Sequence, residues 1–269
     1  MYRMARRVER AVAGPPLTDV WFAFDHLRPA SPALEGQRLK GVRTLGKALL
    51  IEFEQGQVIY THNQLYGRWM FSAPDRRPDT RRQLRLALST ARKSALLYSA
   101  SEIELFEAGS LEDHPFIRRA GLDVLSSGAE EAEIGEWIGR KVFAGRQLGH
   151  LLLDQSFLAG VGNYLRSEIL YLAGLHWTFR PRDLNAAERQ LLAQAVYKVM
   201  WQSVDTGGIT NDLARVEALK ASGWKRRDYR HHVFSRAGQA CFECNEAIEK
   251  VTVSGRRLYA CTSCQPPRS

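Results

Sequence analysis

Apolar positions along the chain change period twice, and each change marks a different kind of element. At the start, Met4, Ala5, Val8, Ala11 and Val12 recur at helical spacing, which predicts a short amphipathic helix. From about residue 17 to about 106 the pattern becomes alternation. Leu49, Ile51 and Phe53 share one face of the run Ala48–Glu54, Gln55-Gly56 supplies a turn, and Gln57–His62 returns. Gln83–Thr90 alternates again, with Leu84, Leu86 and Leu88 expected to point inward. Strands at this density predict a sandwich or a barrel. The polar stretch Ala73–Thr80 reads as a loop.

From about residue 130 the period is helical. Glu130–Arg140, Leu148–Leu153 and Asn163–Leu172 are expected as helices, and a longer one begins at Asn185. Asn185 and Glu188 form an Asn variant of the capping box. Leu191, Leu192, Ala195, Val196, Val199 and Met200 make the apolar stripe that follows. Thr206–Asn211 breaks the pattern. The order is β-rich, then α-rich, then a cysteine-bearing tail, with no internal repeat.

Composition fits a folded chain of one large or two modest domains: 269 residues, 45% hydrophobic and 25% charged. With 38 Lys and Arg against 29 Asp and Glu the net charge is +9. Residues 221–269 hold nine basic and four acidic side chains, so more than half of the excess sits there. Such a field attracts a polyanion, nucleic acid first. No apolar run approaches the ~18 residues of a membrane span. The basic start Met1-Tyr-Arg-Met-Ala-Arg-Arg-Val lacks serine and an apolar core, so it reads as a folded helix and the protein as cytoplasmic.

All four cysteines fall in two pairs, Cys241-Phe-Glu-Cys244 and Cys261-Thr-Ser-Cys264, with sixteen residues between them. Two such pairs supply four thiolates to one tetrahedral ion, and the spacing suits a zinc ribbon on a β-hairpin. Two disulfides would need an oxidising compartment. Val251–Val253 and Leu258–Ala260 are the expected strands, with Ser254-Gly255-Arg256-Arg257 at the tip. A closed four-thiolate site leaves no open position for water, so the zinc is structural. It would hold Arg256 and Arg257 out toward phosphate. A zinc ribbon alone serves equally as a protein-interaction module.

The stretch Phe157-Leu-Ala-Gly-Val-Gly-Asn163-Tyr-Leu-Arg-Ser-Glu168 places two glycines before a helix whose free N–H groups can hold a phosphate. An ordinary helix–helix turn with an Asn cap has the same pattern. The motifs taken together resemble the formamidopyrimidine-glycosylase/endonuclease VIII family. Phe157–Leu170 is similar to its helix–two-turn–helix, and the paired cysteines to its zinc finger. Pro16–Phe24, Gly46-Lys-Ala-Leu-Leu50 and Thr61-His-Asn-Gln-Leu-Tyr-Gly67 resemble the endonuclease VIII branch.

The resemblance implies an α+β multidomain protein. Its parts would be an N-terminal β-sandwich with a leading helix (1–125), a helix–two-turn–helix domain (126–225) and a zinc-ribbon finger (226–269). It implies a DNA glycosylase with abasic-site lyase activity on oxidised bases, chiefly pyrimidines, that flips the damaged nucleotide out of the duplex. Lys47 would contact phosphate beside the lesion and assist the chemistry. Gln64, Leu65 and Tyr66 would fill the gap left by the flipped base, the amide facing the orphaned base and the other two restoring stacking. Asn163 and Arg256 would grip flanking phosphates, and Cys241, Cys244, Cys261 and Cys264 would hold one zinc. Glu168 would orient its neighbours. The expected partner is double-stranded DNA bearing damaged bases or abasic sites, bound by a monomer in the nucleoid.

Two stretches depart from the family pattern. Its members begin Met-Pro-Glu-Gly, where the proline amine is the nucleophile; this chain begins Met1-Tyr2-Arg3-Met4, about six residues short when aligned through Pro16–Val20. The expectation is that Pro-Glu-Gly is encoded just upstream, and the alternative is a non-catalytic binding protein for abasic or damaged DNA. Residues 207–232, including His231 and His232, are not aligned to the family pattern by these motifs, which leaves the lesion preference open. Paired histidines of this kind are expected to be solvated.

Overall fold

Two compact units make up the chain, Met1–Arg119 and the part from Ala120 onward. The computed structural model describes residues 1–268.

In the first unit, α1 (Tyr2–Val12) buries Ala5, Val8 and Val12, the stripe that the sequence marks. Eight strands follow: β1 (Asp19–Phe22), β2 (Leu39–Leu45), β3 (Ala48–Phe53), β4 (Val58–His62), β5 (Arg68–Ser72), β6 (Leu84–Ser89), β7 (Ser94–Tyr98) and β8 (Glu102–Phe106). They form two antiparallel sheets ordered β1-β6-β7-β5 and β2-β3-β4-β8. Leu49, Ile51 and Phe53 of one sheet share a core with Phe22, Leu86, Leu88 and Leu97 of the other, and α1 joins it through Val8 and Val12. This is the sandwich, not the barrel. The opposite face of β3 and β4, with Leu50 and Tyr60, packs against Phe106, Phe116 and Ile117. Phe116 and Ile117 lie on the short helix α3 (Pro115–Arg119); α2 (Ser31–Leu34) is another single turn.

Leu84 corrects the inward set. The register shifts between Leu84 and Leu86, so Leu84 leaves the core face and packs with Ala87, Leu96, Tyr98 and Met70. A bulge is invisible to a count of alternating residues.

The second unit is helical: α4 (Val124–Ser127), α5 (Glu131–Ile138), α6 (Leu148–Leu151), α7 (Asn163–Leu172), α8 (Ala186–Thr206), α9 (Leu213–Ala221) and α10 (Arg226–Tyr229), closed by the hairpin β9 (Glu249–Val253) and β10 (Arg256–Ala260). Asn185 caps α8 as its sequence predicts: Oδ1 accepts from the Glu188 amide at 2.9 Å, and Glu188 returns the bond to the Asn185 amide at 2.9 Å. Ile134 and Ile138 of α5, Leu165 and Ile169 of α7, and Leu192, Val196 and Met200 of α8 share one core. Val253, Leu258 and Ala260 belong to that same core, so the hairpin is built into the helical unit. No helix among the described residues is long and apolar enough to cross a membrane.

Candidate nucleic-acid interface and metal centre

In the first unit, Lys47 sits in the two-residue turn Gly46-Lys47 that joins β2 to β3, where Leu45 pairs with Ala48. Gly46 takes φ 57°, the left-handed conformation such a hairpin turn needs. Ala48 pairs in turn with His62, so the Lys47 turn and the turn after His62 lie at the same end of the sheet. The start of α1 reaches this end as well, since the Asn63 amide contacts Met1 Sδ at 3.6 Å.

Residues 63–67 form a tight turn closed by the Gly67 amide on the Asn63 carbonyl at 2.7 Å. Arg82 braces it by donating to the Tyr66 carbonyl at 2.7 Å. Leu65 is 87% exposed and Tyr66 70% exposed, although both are large and mostly apolar. Gln64, at φ 46°, has its side chain turned back instead: Nε2 donates to Glu102 Oε2 at 3.0 Å, and Oε1 accepts from Ser101 Oγ at 2.8 Å. Its backbone amide donates to Nδ1 of His62 at 3.2 Å, which needs that nitrogen unprotonated. Burial lowers the His62 pKa; Glu102 opposes this and the Lys47 charge adds to it.

In the second unit, the helix–two-turn–helix spans α6, the turn with Phe157, Leu158 and Val161 buried, and α7. Gly162, not Asn163, occupies the N-cap of α7 and brings no side-chain acceptor, so the first-turn amides are open to an outside anion. Asn163 is already helical. Its Nδ2 donates to the carbonyl of Arg257 at 2.7 Å, and its Oδ1 accepts from Arg166 at 2.9 Å.

Arg166, which the sequence does not single out, is fully buried. Its guanidinium donates to the carbonyls of Gly149 at 2.8 Å, Val253 at 3.2 Å, Arg257 at 3.2 Å and Arg256 at 3.4 Å. All its acceptors are neutral oxygens. Burial, with the neighbouring Arg256, lowers its pKa to about 10, so the charge persists at neutral pH. The only hint in sequence is a charged residue on the face of α7 that also carries Ile169 and Leu170.

Ser254 and Gly255, at φ 55° and 67°, make a two-residue turn, and Val253 pairs with Arg256. The tip is therefore shorter than the four residues expected from sequence, because Arg256 and Arg257 already belong to β10. Both side chains are exposed. The hairpin is fastened to the helices by Asn163 and Arg166, by the Tyr259 amide on Ser167 Oγ at 3.2 Å, and by Ser254 on His150.

α7 itself carries a carboxylate that does not face solvent. Glu168 is fully buried and accepts from Thr210 Oγ1 at 2.6 Å and from the amides of His232, Val233 and Phe234 at 2.8, 2.9 and 2.9 Å. Burial works against its charge, but the neighbouring histidines and these hydrogen bonds outweigh it, and its pKa is lowered. His231 and His232 are buried, 3% and 5% exposed, so the expectation of solvated histidines fails. Tyr164 and Phe234 pack on the His231 ring and Tyr171 on His232. Alternation of polar residues gave no sign that this loop threads under α7.

The four cysteines converge. Their sulfurs lie within 4.8 Å of one another, with Cys241–Cys264 at 3.9 Å and Cys244–Cys261 at 3.3 Å, and none forms a disulfide. Zn–S bonds of ~2.3 Å at a tetrahedral centre put sulfurs ~3.8 Å apart, so this donor set fits zinc. Burial raises the Cys241 thiol, but hydrogen bonds from Tyr171 and the backbone at Glu243 and Cys244 bring it down to about 7. Burial and its neighbouring thiols push Cys264 up. A divalent cation held by these four sulfurs would supply the charge that lets all of them ionise.

Comparison with known proteins matches both units. Residues 1–101 fit the model of the formamidopyrimidine-DNA glycosylase N-terminal domain, and residues 121–214 fit that of the formamidopyrimidine-DNA glycosylase H2TH domain. Over 263 residues the chain is 43% identical to Endonuclease 8 of Escherichia coli (strain K12 / DH10B), covering 98% of this chain and 97% of that protein. Endonuclease 8 of Salmonella enteritidis PT4 gives the same 43% and the same coverage. Among solved structures, Lactococcus lactis formamidopyrimidine DNA glycosylase bound non-covalently to DNA with an AP site aligns at TM-score 0.77 and 18% identity, over 98% of this chain and 97% of that one. Its complex with DNA containing Fapy-dG aligns at TM-score 0.78 and 19% identity, over 98% of each chain. These last two show likeness of fold.

Proposed function

Since the chain belongs to the formamidopyrimidine-DNA glycosylase/endonuclease VIII family, we propose that it removes oxidised bases, chiefly pyrimidines, from duplex DNA and cleaves the strand at the abasic site left behind. The observation that carries this reading is the turn 63–67. Two large side chains, Leu65 and Tyr66, stand 87% and 70% exposed on a braced turn beside Lys47. Exposing such surface is unfavourable in the free protein and useful only against something apolar. The gap in a base stack from which a nucleotide has been flipped is such a partner.

In this reading Leu65 and Tyr66 enter the stack and Gln64 meets the orphaned base. Lys47 holds a phosphate beside the lesion. Asn163 and Arg256 hold flanking phosphates, the first with the open amides of α7 and the second with a guanidinium fork. A protein amine attacks C1′ of the flipped nucleotide and the base departs with the electrons of its glycosidic bond; the bound nitrogen, having shed its proton, then opens the C1′–O4′ bond, O4′ takes up a proton, and a Schiff base remains. That imine acidifies C2′, whose proton loss expels the 3′ phosphate; a further elimination releases the 5′ phosphate. The zinc takes no part in these steps and fixes the hairpin. The protein acts as a monomer.

Borohydride trapping on a duplex with one abasic site tests the reading. A covalent protein–DNA adduct, assigned to its residue by peptide mapping, supports Schiff-base chemistry. Retention of the duplex without an adduct would overturn the lyase assignment and leave a damage-binding protein.

A further inference from the structure

The side chain of Gln64 is the one member of the turn 63–67 that is tied to the sheet. Its partners, Ser101 and Glu102, come from the β7–β8 connection and the first position of β8. Glu102 is held in place in turn. It pairs across the sheet with His62, and its Oε1 accepts from the Tyr60 hydroxyl at 3.3 Å.

A primary amide can usually be presented either way round, because its oxygen and nitrogen are nearly the same size. Here that freedom is gone. A carboxylate has only acceptors, so the group facing Glu102 must be the NH2 of Gln64. The oxygen must then face Ser101, whose hydroxyl can donate to it. One hydrogen and one lone pair of the amide remain for an outside partner, and their order in space is fixed. A competing claim on Glu102 comes from His62, 3.8 Å away. His62 is kept from making it, because its Nδ1 already accepts from the Gln64 backbone amide and its environment disfavours the protonated ring.

We propose that Glu102 is a specificity-determining positioning residue: by fixing the orientation of the Gln64 amide, it sets which base opposite the lesion the protein prefers. The four bases present different sequences of donors and acceptors, so a fixed amide matches some and opposes others, whereas a free amide flips to suit each. This inference rests on the reading that Gln64 meets the orphaned base.

The test measures affinity for duplexes carrying a tetrahydrofuran abasic analogue opposite A, C, G or T, a readout that needs no catalysis. The unaltered protein is expected to spread by at least about fivefold between its best and worst opposite base, the low end of what one hydrogen-bonded base contact discriminates. In Glu102→Gln the partner amide can itself turn round, so Gln64 is released. The four affinities are then expected to converge to within about twofold, whatever their common level. Tyr60→Phe removes the other hydrogen bond to the same carboxylate without touching Gln64, and is expected to keep the spread.

A Glu102→Gln protein that keeps the order and spread of the four bases overturns the proposal. So does a uniform loss across all four, which a merely structural role would give, or a Tyr60→Phe protein that converges equally. An unaltered protein with no spread overturns it too. Gln64→Ala separates the layers. If Gln64→Ala keeps the spread, the underlying reading of Gln64 fails; if Gln64→Ala converges and Glu102→Gln does not, the assignment of Glu102 alone fails.

Discussion

Arg166 holds Asn163 by its amide oxygen, Nη2 to Oδ1 at 2.9 Å, while the same guanidinium spans to carbonyls on both the helical side and the hairpin side of the second unit. One buried cation thus joins Asn163 to the backbone of Arg256 and Arg257. No carboxylate among the described residues is hydrogen-bonded or ion-paired to it, so its positive charge is not neutralised by a bonded partner.

Replacing that cation should loosen the hairpin. Arg166→Met fills much of the volume but removes the guanidinium from the carbonyls of Gly149, Val253 and Arg256, leaving that of Arg257 with Asn163 alone. The expected loss is about 1–3 kcal/mol, the cost of leaving buried neutral acceptors unpaired. Urea unfolding measures it, and abasic-duplex affinity should fall in parallel. Arg166→Lys should recover only part, because an ammonium cannot span both sides. A methionine variant as stable as the parent would show that the hairpin is held by its apolar contacts alone.

Glu168 supports a second prediction. Its carboxylate takes four donors, three of them the consecutive amides 232–234. Glu168→Gln puts an NH2 group against N–H donors, so it breaks at least one bond and costs about 2–3 kcal/mol. Hydrogen exchange should speed up at the amides of His232, Val233 and Phe234 first. Unchanged protection there would contradict the assigned geometry.

The same loop makes the second unit acid-sensitive. Burial lowers the His231 pKa to about 4 and also lowers that of His232, against ~6.5 in the unfolded chain. Between those values the unfolded state binds protons that the folded state refuses, so stability is complete above about pH 6.5 and falls as the pH drops toward 4. For His231 alone the full difference is about 3 kcal/mol. The lowered Glu168 carboxyl adds to the loss at still lower pH. Thermal unfolding at pH 7.5 and pH 5.0 should show a lower Tm in acid, with His231→Asn reducing the difference. Equal Tm values at both pH values would sink this account.

What was legible in the sequence was whatever repeats or pairs locally. The capping box at Asn185, the alternation of Leu49, Ile51 and Phe53, and the spacing of the cysteines each report a short-range constraint, and the structure follows them. Arg166, Glu168, Glu102 and the buried histidines were not legible in the same way. Their roles come from partners as far as 91 residues away in the chain. A charged residue on a helix face reads as solvated until the element that covers it is known. The resemblance to the family supplied Gln64, Leu65 and Tyr66 as a group. It did not indicate that Gln64 is tied down while the other two stand free.

Metal removal gives a prediction on the ribbon. One zinc per chain is expected by metal analysis, released on chelation or on Cys264→Ser. The cysteine cluster packs with Tyr171, Val233 and Tyr259, so the loss should expose these and lower the Tm of the second unit. Abasic-duplex affinity should fall with it, because Arg256 loses its rigid strand, and re-added zinc should restore both. A chain that binds DNA equally well after metal loss would separate the hairpin from the DNA contact.

Gly67→Ala isolates the turn 63–67 from the rest of the fold. A Cβ at Gly67 would lie 2.6 Å from Asn63 Cα and 2.7 Å from the Asn63 carbonyl oxygen, backbone atoms that cannot rotate aside. The turn must open, and the 2.7 Å bond from the Gly67 amide to that carbonyl opens with it. Leu65 and Tyr66 are exposed, so little core packing changes and the Tm should fall by only a few degrees, about 1 kcal/mol. Affinity for an abasic duplex should drop on the order of tenfold, about 1.4 kcal/mol, while affinity for undamaged duplex barely moves. Leu65→Ala should give the same selective loss without disturbing the backbone. Equal losses on damaged and intact DNA would mean that the turn supports general duplex binding, and the wedge role would have to be given up.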